Sequence, residues 1–357
     1  IIANHAQTRG KKEKGTVKII MRALRYYNPG DLRLEDIPEP ACLDNQVKVR
    51  PAFVGICGTD LHEYSSSTFI PEPGHPHPVT GETRPLTIGH EISGVVVEVG
   101  AKATNKSLKT GSRVVIRPTV CCFACSACKE GYLSCCATPG FLGLSGGGGG
   151  MSEFICVDSE FVHALPEGIP LDIGVLVEPL GTCWRAVAES NIKAGADVLV
   201  LGGGPIRLSI VACCKAKDAR SIVVSEVAAE RRALATMFGA TQVVNPLTEN
   251  IVAQTIEAAC RAVRPRGIVV NVAIWEKPVS FDLNLLCFGE RRLHAVLGYS
   301  KQDFDNVIAA IQDGSLQLER MITRKISIDR VVEDGFNTLA KDKNTQVKIQ
   351  VDMQQVV

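Results

Sequence analysis

Val198-Leu199-Val200-Leu201-Gly202-Gly203-Gly204-Pro205 is a short apolar run that ends in three glycines and a proline. Its length and composition predict a buried strand, and the glycines predict a tight turn into a helix. That helix is predicted to reach about Ala216. A strand at Ile222-Val223-Val224-Ser225-Glu226, a helix from Ala228 to Phe238 and a short strand at Gln242-Val243-Val244 follow. Alternation of this kind predicts an α/β fold with a parallel, doubly wound sheet. A glycine turn between strand and helix aims backbone N–H groups and a helix N-terminus at a pyrophosphate. Glu226 ends the second strand, where a carboxylate binds both ribose hydroxyls of an adenosine and repels a 2′-phosphate, so NAD is expected rather than NADP. Gly202, Gly204, Pro205, Ile206, Glu226 and Arg231 are the candidate cofactor-binding residues. A plain strand-to-helix turn is the alternative reading.

Two features depart from a standard dinucleotide site. Arg207 stands where the third glycine of Gly-x-Gly-x-x-Gly belongs. A guanidinium there must escape to solvent or push the helix from the strand, which predicts weakened NAD binding, or else contact the cofactor phosphates. The second is a shortage. After Val244 there is one helix (about Glu249 to Val263) before the strand Ile268-Val269-Val270-Asn271-Val272, where a six-stranded domain has a further βα unit. One crossover fits in the connection, so this strand is predicted to pair directly beside the first and give a five-stranded sheet. An omission in the gene model or by splicing is the competing explanation.

Outside this segment the rhythm is different. From Met21 to about Val157 the segments are short, rich in Val and Ile and punctuated by Gly and Pro, as in Val47-Lys48-Val49-Arg50 and Val95-Val96-Val97-Glu98-Val99. They predict an all-β domain. Lys348-Ile349-Gln350-Val351 is again strand-like and is expected to return to it. A chain of 357 residues with 45% hydrophobic and 22% charged residues predicts two soluble globular domains. A formal net charge of +1 argues against nucleic acid or an acidic membrane surface as partner. No apolar run is long enough to span a bilayer. The 14 cysteines come without a signal-peptide pattern, so they read as thiols and metal ligands and predict a cytoplasmic address. Residues 1–20, with Arg9, Lys11, Lys12, Lys14 and Lys18, read as a disordered basic tail.

Cys122, Cys125, Cys128 and Cys136 form a C-x2-C-x2-C-x7-C run. Four thiolates on one loop close a tetrahedral zinc shell, which makes a structural site. Gly89-His90-Glu91 with Cys57 upstream builds instead an open shell that keeps a place for substrate, so the pair of patterns predicts a zinc enzyme. A zinc-finger nucleic-acid binder fails on charge balance and on the lack of clustered basic and aromatic residues. Cys121 and Cys135 compete as ligands, but the spacing favours their neighbours. His75 and His77, among alternating prolines, read as a stiff surface loop rather than a metal site. The glycines of Gly146 to Gly150 read as a linker or a loop and are assigned no chemistry.

These residues, in this order and spacing, resemble the zinc-dependent medium-chain dehydrogenase/reductase family, and within it the butanediol and sorbitol dehydrogenase branch. The likeness runs from about Met21 to Val351 through Cys57-Gly58-Thr59-Asp60-Leu61-His62, Gly89-His90-Glu91, the cysteine loop, Gly140-Phe141-Leu142-Gly143-Leu144-Ser145, Val177-Glu178-Pro179-Leu180 and Val270-Asn271-Val272-Ala273-Ile274-Trp275. The resemblance implies a GroES-like catalytic domain over residues 21–180, completed by about 318–357, and a Rossmann domain over 181–317, with the active site in the cleft between them. It implies catalytic zinc on Cys57, His90 and Glu178, with Glu91 as exchanging ligand or behind the ligands, and structural zinc on the four loop cysteines. Thr59 matches the family's proton-relay hydroxyl, His62 is the next step towards solvent, and Asp60 matches the carboxylate that orients His90. The implied activity is an NAD(H)-dependent zinc alcohol dehydrogenase acting on a small vicinal diol or α-hydroxyketone, with polyols second, in a homodimer or homotetramer. A non-catalytic relative that keeps zinc but has lost productive NAD binding is the alternative.

Overall fold

The computed structural model describes residues 10–13, 16–248, 256–275, 277–342 and 344–355. The chain divides into one unit of Ile1–Val175, Arg324–Lys341 and Ile349–Val357, and a second of Leu176–Thr323 and Asp342–Lys348.

The spine of the first unit is the strand Gln46–Gly55, whose residues are buried on both faces along most of its length. It pairs antiparallel with Glu91–Val99, Ile155–Asp158 and Lys348–Asp352. The sheet runs in the order Val162–Ala164, Arg113–Ile116, Glu91–Val99, Gln46–Gly55, Lys348–Asp352, Ile322–Ser327, with Ile155–Asp158 on the side of the spine. Lys348–Asp352 therefore does come back to the β sheet, as its composition predicts. Two apolar clusters hold this unit together. One joins Leu24, Tyr26, Val54, Ile88, Met151, Phe336 and Val351, and the other joins Val47, Val49, Ile92, Val96, Ile116 and Ile155 to buried cysteines of the Cys121–Cys136 loop. Burial of this apolar area, at roughly 25 cal/mol per Å², is the main force that fixes the sheet.

The N-terminal stretch differs from its expected disorder. Gly10–Glu13 pairs antiparallel with the start of the strand Thr16–Asn28, which continues onto Asp31–Pro38. Thr16-Val17-Lys18-Ile19-Ile20 is mostly β-branched, and that preference outweighs the lysines. Residues 1–9 and 14–15 lie outside the described residues. The glycine run also proves structural rather than a free linker. Gly146, Gly147 and Gly148 have φ of +95°, +76° and +87°, and a Cβ on Gly149 would meet the Thr87 carbonyl oxygen at 2.3 Å.

In the second unit, Asp197–Leu201, Ser221–Ser225 and Gln242–Val244 form a parallel sheet, with the helices Pro205–Ala216 and Ala229–Phe238 as crossovers. The expected five-stranded sheet is not formed among the described residues. Ile268–Asn271 pairs parallel with Arg292–Ala295 in a ladder of its own, and among the described residues Asp197–Leu201 pairs only with Ser221–Ser225. Parallel pairing with the next strand needs one short crossover, here containing Asn284–Cys287, whereas joining Asp197–Leu201 would close a loop through most of the unit. As a result the strand predicted to be buried is only partly so: Leu199 is 36% exposed, and Arg292–Ala295 is exposed throughout. The helix expected from Glu249 is seen over Ile256–Ala262, and residues 249–255 lie outside the described residues. No helix among the described residues is long and apolar enough to cross a membrane.

Candidate metal centres and cofactor loop

Cys57 follows the spine strand directly and is the N-cap of the helix Gly58–Ser65. Asp60, in the first turn, accepts a 2.9 Å hydrogen bond from the Cys57 N–H, so the helix start fixes both residues. The other Asp60 oxygen lies 3.3 Å from Nδ1 of His90. His90 and Glu91 open the next strand of the sheet, where the register sets Glu91 opposite Gly55. These local constraints bring ligand atoms of Cys57, His90 and Glu91 within 4.8 Å of one another. Asp60 is 3% exposed, His90 4% and Glu91 0%. Burial alone would lower the His90 pKa, but the Asp60 carboxylate and the Cys57 sulfur outweigh it and hold the imidazole well above the ordinary histidine range. A donor set of thiolate, imidazole and carboxylate suits a divalent zinc ion, with Nδ1 facing Asp60 and Nε2 left as the donor.

Gly55 is part of this arrangement, and no reading of the sequence singled it out. A Cβ there would sit 1.9 Å from Glu91 Oε2, so glycine is what leaves room for the carboxylate. Gly55→Ala is expected to displace Glu91 and lower kcat/KM by about 100-fold, the scale set by a misplacement of ~1 Å. Steady-state kinetics beside a thermal melt would check it, and an alanine variant with parental kinetics would contradict it.

Thr59 Oγ1 lies 3.7 Å from Cys57 Sγ, and His62 is exposed on the same helix. Glu178 belongs to the second unit, at the start of the helix Val177–Glu189. There it is buried and accepts a 2.6 Å hydrogen bond from the Tyr299 hydroxyl. Tyr299 follows Leu297-Gly298 in a segment that gave no signal in the sequence.

Sγ atoms of Cys122, Cys125, Cys128 and Cys136 also lie within 4.8 Å of one another. Backbone N–H groups of Ala124 and Cys125 point at Cys122 Sγ, that of Ala137 at Cys125 Sγ, and those of Cys122 and Thr138 at Cys136 Sγ. The Ala124 and Cys125 N–H groups pull the Cys122 pKa down to about 6. Such donors stabilise thiolates, the form that binds metal. Cys121 is buried and Cys135 exposed, and neither joins the group. His77 is buried, not on the surface as its prolines suggest: Nδ1 accepts from the Val79 N–H and Nε2 faces the Pro139 carbonyl, each at 3.3 Å. His75 is exposed.

In the glycine loop, Gly202 has φ +99° and Gly204 is the N-cap of the helix Pro205–Ala216, with Pro205 at its first position. The Leu208 N–H reaches the Gly204 carbonyl at 3.0 Å, so the first helical turn is closed despite Arg207. Nothing lies within 4 Å of a Cβ built on Gly204, which leaves backbone open to a phosphate group. The Ile206 carbonyl accepts from Cys183 Sγ at 3.4 Å. Glu226 is 3% exposed and turns onto the loop, accepting from the Gly203 N–H at 2.6 Å and the Ala228 N–H at 2.8 Å. Arg231 packs beside it, with Cβ 3.1 Å from where Gly203 would carry its own.

Residues 43–167 match the family described as the alcohol dehydrogenase GroES-like domain. The (R,R)-butanediol dehydrogenase of Bacillus subtilis is 37% identical over 93% of this chain and 99% of that protein. That of Saccharomyces cerevisiae is 34% identical over 92% and 97%. The crystal structure of the 2R,3R-butanediol dehydrogenase of Bacillus subtilis superposes with a TM-score of 0.86, covering 93% of this chain and 99% of that one.

Proposed function

Because the chain belongs to the zinc-dependent medium-chain dehydrogenase/reductase family, we propose that it interconverts a small vicinal diol, such as 2,3-butanediol, and the matching α-hydroxyketone with NAD(H). Grouping of Cys57, His90 and Glu91 at ligand spacing carries this reading. The similarity to butanediol dehydrogenases supports the substrate class. When bound, zinc supplies Lewis-acid polarisation of the substrate hydroxyl and nicotinamide supplies the hydride acceptor.

The chain's own residues do the rest. Cys57, His90 and Glu91 would hold the catalytic zinc, and Glu178 is the further donor the family pattern implies. Asp60 fixes the His90 ring through Nδ1, which sets its tautomer. Thr59, beside Cys57, would accept the substrate's hydroxyl proton as it hands its own on towards His62, which would release a proton to solvent from its exposed place on the helix. Gly202, Gly204, Pro205 and Ile206 present backbone to the cofactor, with Glu226 and Arg231 at the adenosine side. The cysteine loop would hold the second zinc. We also propose a homo-oligomer in which a second copy covers the exposed Leu293, Leu297 and Phe288, which sedimentation equilibrium checks, and a cytoplasmic address, where thiolate ligands stay reduced.

The test is an assay of zinc-replete protein against diols and polyols with both nicotinamide cofactors. A kcat/KM for 2,3-butanediol at least tenfold above sorbitol, with NAD preferred, is the expected result. Sorbitol preference would replace the substrate. A second reading, the non-catalytic relative, draws support from the split parallel sheet. It requires that NADH give no saturable fluorescence change.

A further inference from the structure

Arg207 is the third residue of the helix Pro205–Ala216. Its stem runs alongside Gly202, with Cγ and Nε each 3.6 Å from the place a Gly202 Cβ would occupy. The guanidinium is partly buried and makes no hydrogen bond or ion pair among the described residues. The neighbouring Glu226 carboxylate makes no ion pair with it and turns instead to the Gly203 and Ala228 N–H groups. Arg207 therefore keeps a partly desolvated cation, in no ion pair among the described residues, at the positive end of a 12-residue helix. Burial, the largest influence, disfavours that charge and holds the guanidinium pKa below its ordinary value; Cys183 and Glu226 oppose it in part, and Arg231 adds a smaller repulsion. An anion in the loop would offset that burial cost with a direct attraction. The open backbone at Gly204, at the head of the same turn, is where a phosphate would sit.

We infer that Arg207 is a pyrophosphate-binding residue, a guanidinium clamp on the dinucleotide in place of the glycine expected there. The inference rests on the proposed use of NAD(H) and assigns to the residue the opposite effect from simple steric obstruction. An arginine fork matches phosphate oxygens in a two-pronged geometry that lysine meets only as a point charge. The gain is an ionic one and should weaken with salt.

The experiment is fluorescence titration of the full-length protein, Arg207→Gln and Arg207→Lys with NADH, with ADP-ribose and adenosine as competitors and circular dichroism to verify folding. Arg207→Gln is expected to raise the Kd for NADH about tenfold or more at low salt, with Arg207→Lys recovering part of the loss. Competition by ADP-ribose, which carries the pyrophosphate, should weaken in step, while that by adenosine should not change. Salt should weaken the parent more than Arg207→Gln. If the parent binds NADH saturably and Arg207→Gln binds as well or better, the clamp is wrong while the dehydrogenase reading stands. If the folded parent gives no saturable signal, both fall.

Discussion

Cys57→Ser is expected to lower kcat/KM for a diol by about 1000-fold or more and to leave one zinc per chain where the parent holds two. The size follows from what is removed. Lewis-acid polarisation of an oxygen is worth several kcal/mol of transition-state stabilisation, and each 1.36 kcal/mol is a factor of ten in rate. Serine conserves the shape of the side chain but does not supply a thiolate. The helix start should survive, since the Cys57 backbone N–H still reaches Asp60 and a serine hydroxyl at an N-cap takes over what the sulfur accepts. Metal analysis and kinetics on the same sample make the test specific. Retention of two zinc ions with near-parental turnover would remove Cys57 from the ligand set. Asp60→Asn is a milder companion: it keeps the size of the group that faces His90 Nδ1 but loses the charge, and the loss of an orienting partner of this kind typically costs 10–100-fold in affinity or activity.

Local chemistry was the legible part of this chain. The glycine turn, its flanking strand and the helix to Ala216 follow from apolar run, breaker and cap, and the structure sets them at Asp197–Leu201 and Pro205–Ala216. The two groups that could hold a metal, Cys57 with His90 and Glu91 and the four loop cysteines, were legible because each ligand type is scarce and the spacing is short. What sequence could not supply was the partner across space. Gly55 matters because the register puts it opposite Glu91, and a register is a property of two strands. Tyr299 meets Glu178 from 121 positions away, so no spacing rule reports it. The same limit explains the second unit. The shortage of a βα unit can be counted along the chain, but whether the remaining strands close ranks depends on competition between ladders. The structure resolves that competition locally, with Ile268–Asn271 on Arg292–Ala295. Arg207 is a further case: escape to solvent, a displaced helix and contact with phosphates were all open on the sequence, and the stem lies beside Gly202, where there is no Cβ to meet it.

Cys136→Ser should cost the protein its other zinc and a large part of its thermal stability while sparing the ligand set around His90. Cys128 and Cys136 are buried in the same apolar cluster as Val47, Val49, Ile116 and Phe161, so the cysteine loop is one wall of the first unit's core. Four thiols brought within 4.8 Å of one another have little reason to stay there without a cation. Deprotonated they repel, and protonated they offer only weak donors, whereas a dication bound by four thiolates holds the loop closed. The backbone N–H groups aimed at Cys122, Cys125 and Cys136 soften the net negative charge of such a centre, which explains why so short a loop spends its donors on sulfur. Loss of a structural metal falls among the largest single-residue effects, of order 4 kcal/mol, or roughly 10 °C in Tm for a domain of this size. Calorimetry with zinc analysis reads both quantities, and limited proteolysis should find its first new cut between Cys121 and Cys136. A variant that lost zinc but melted with the parent would mean that the apolar cluster alone holds the loop, and that the metal there is a passenger rather than a brace.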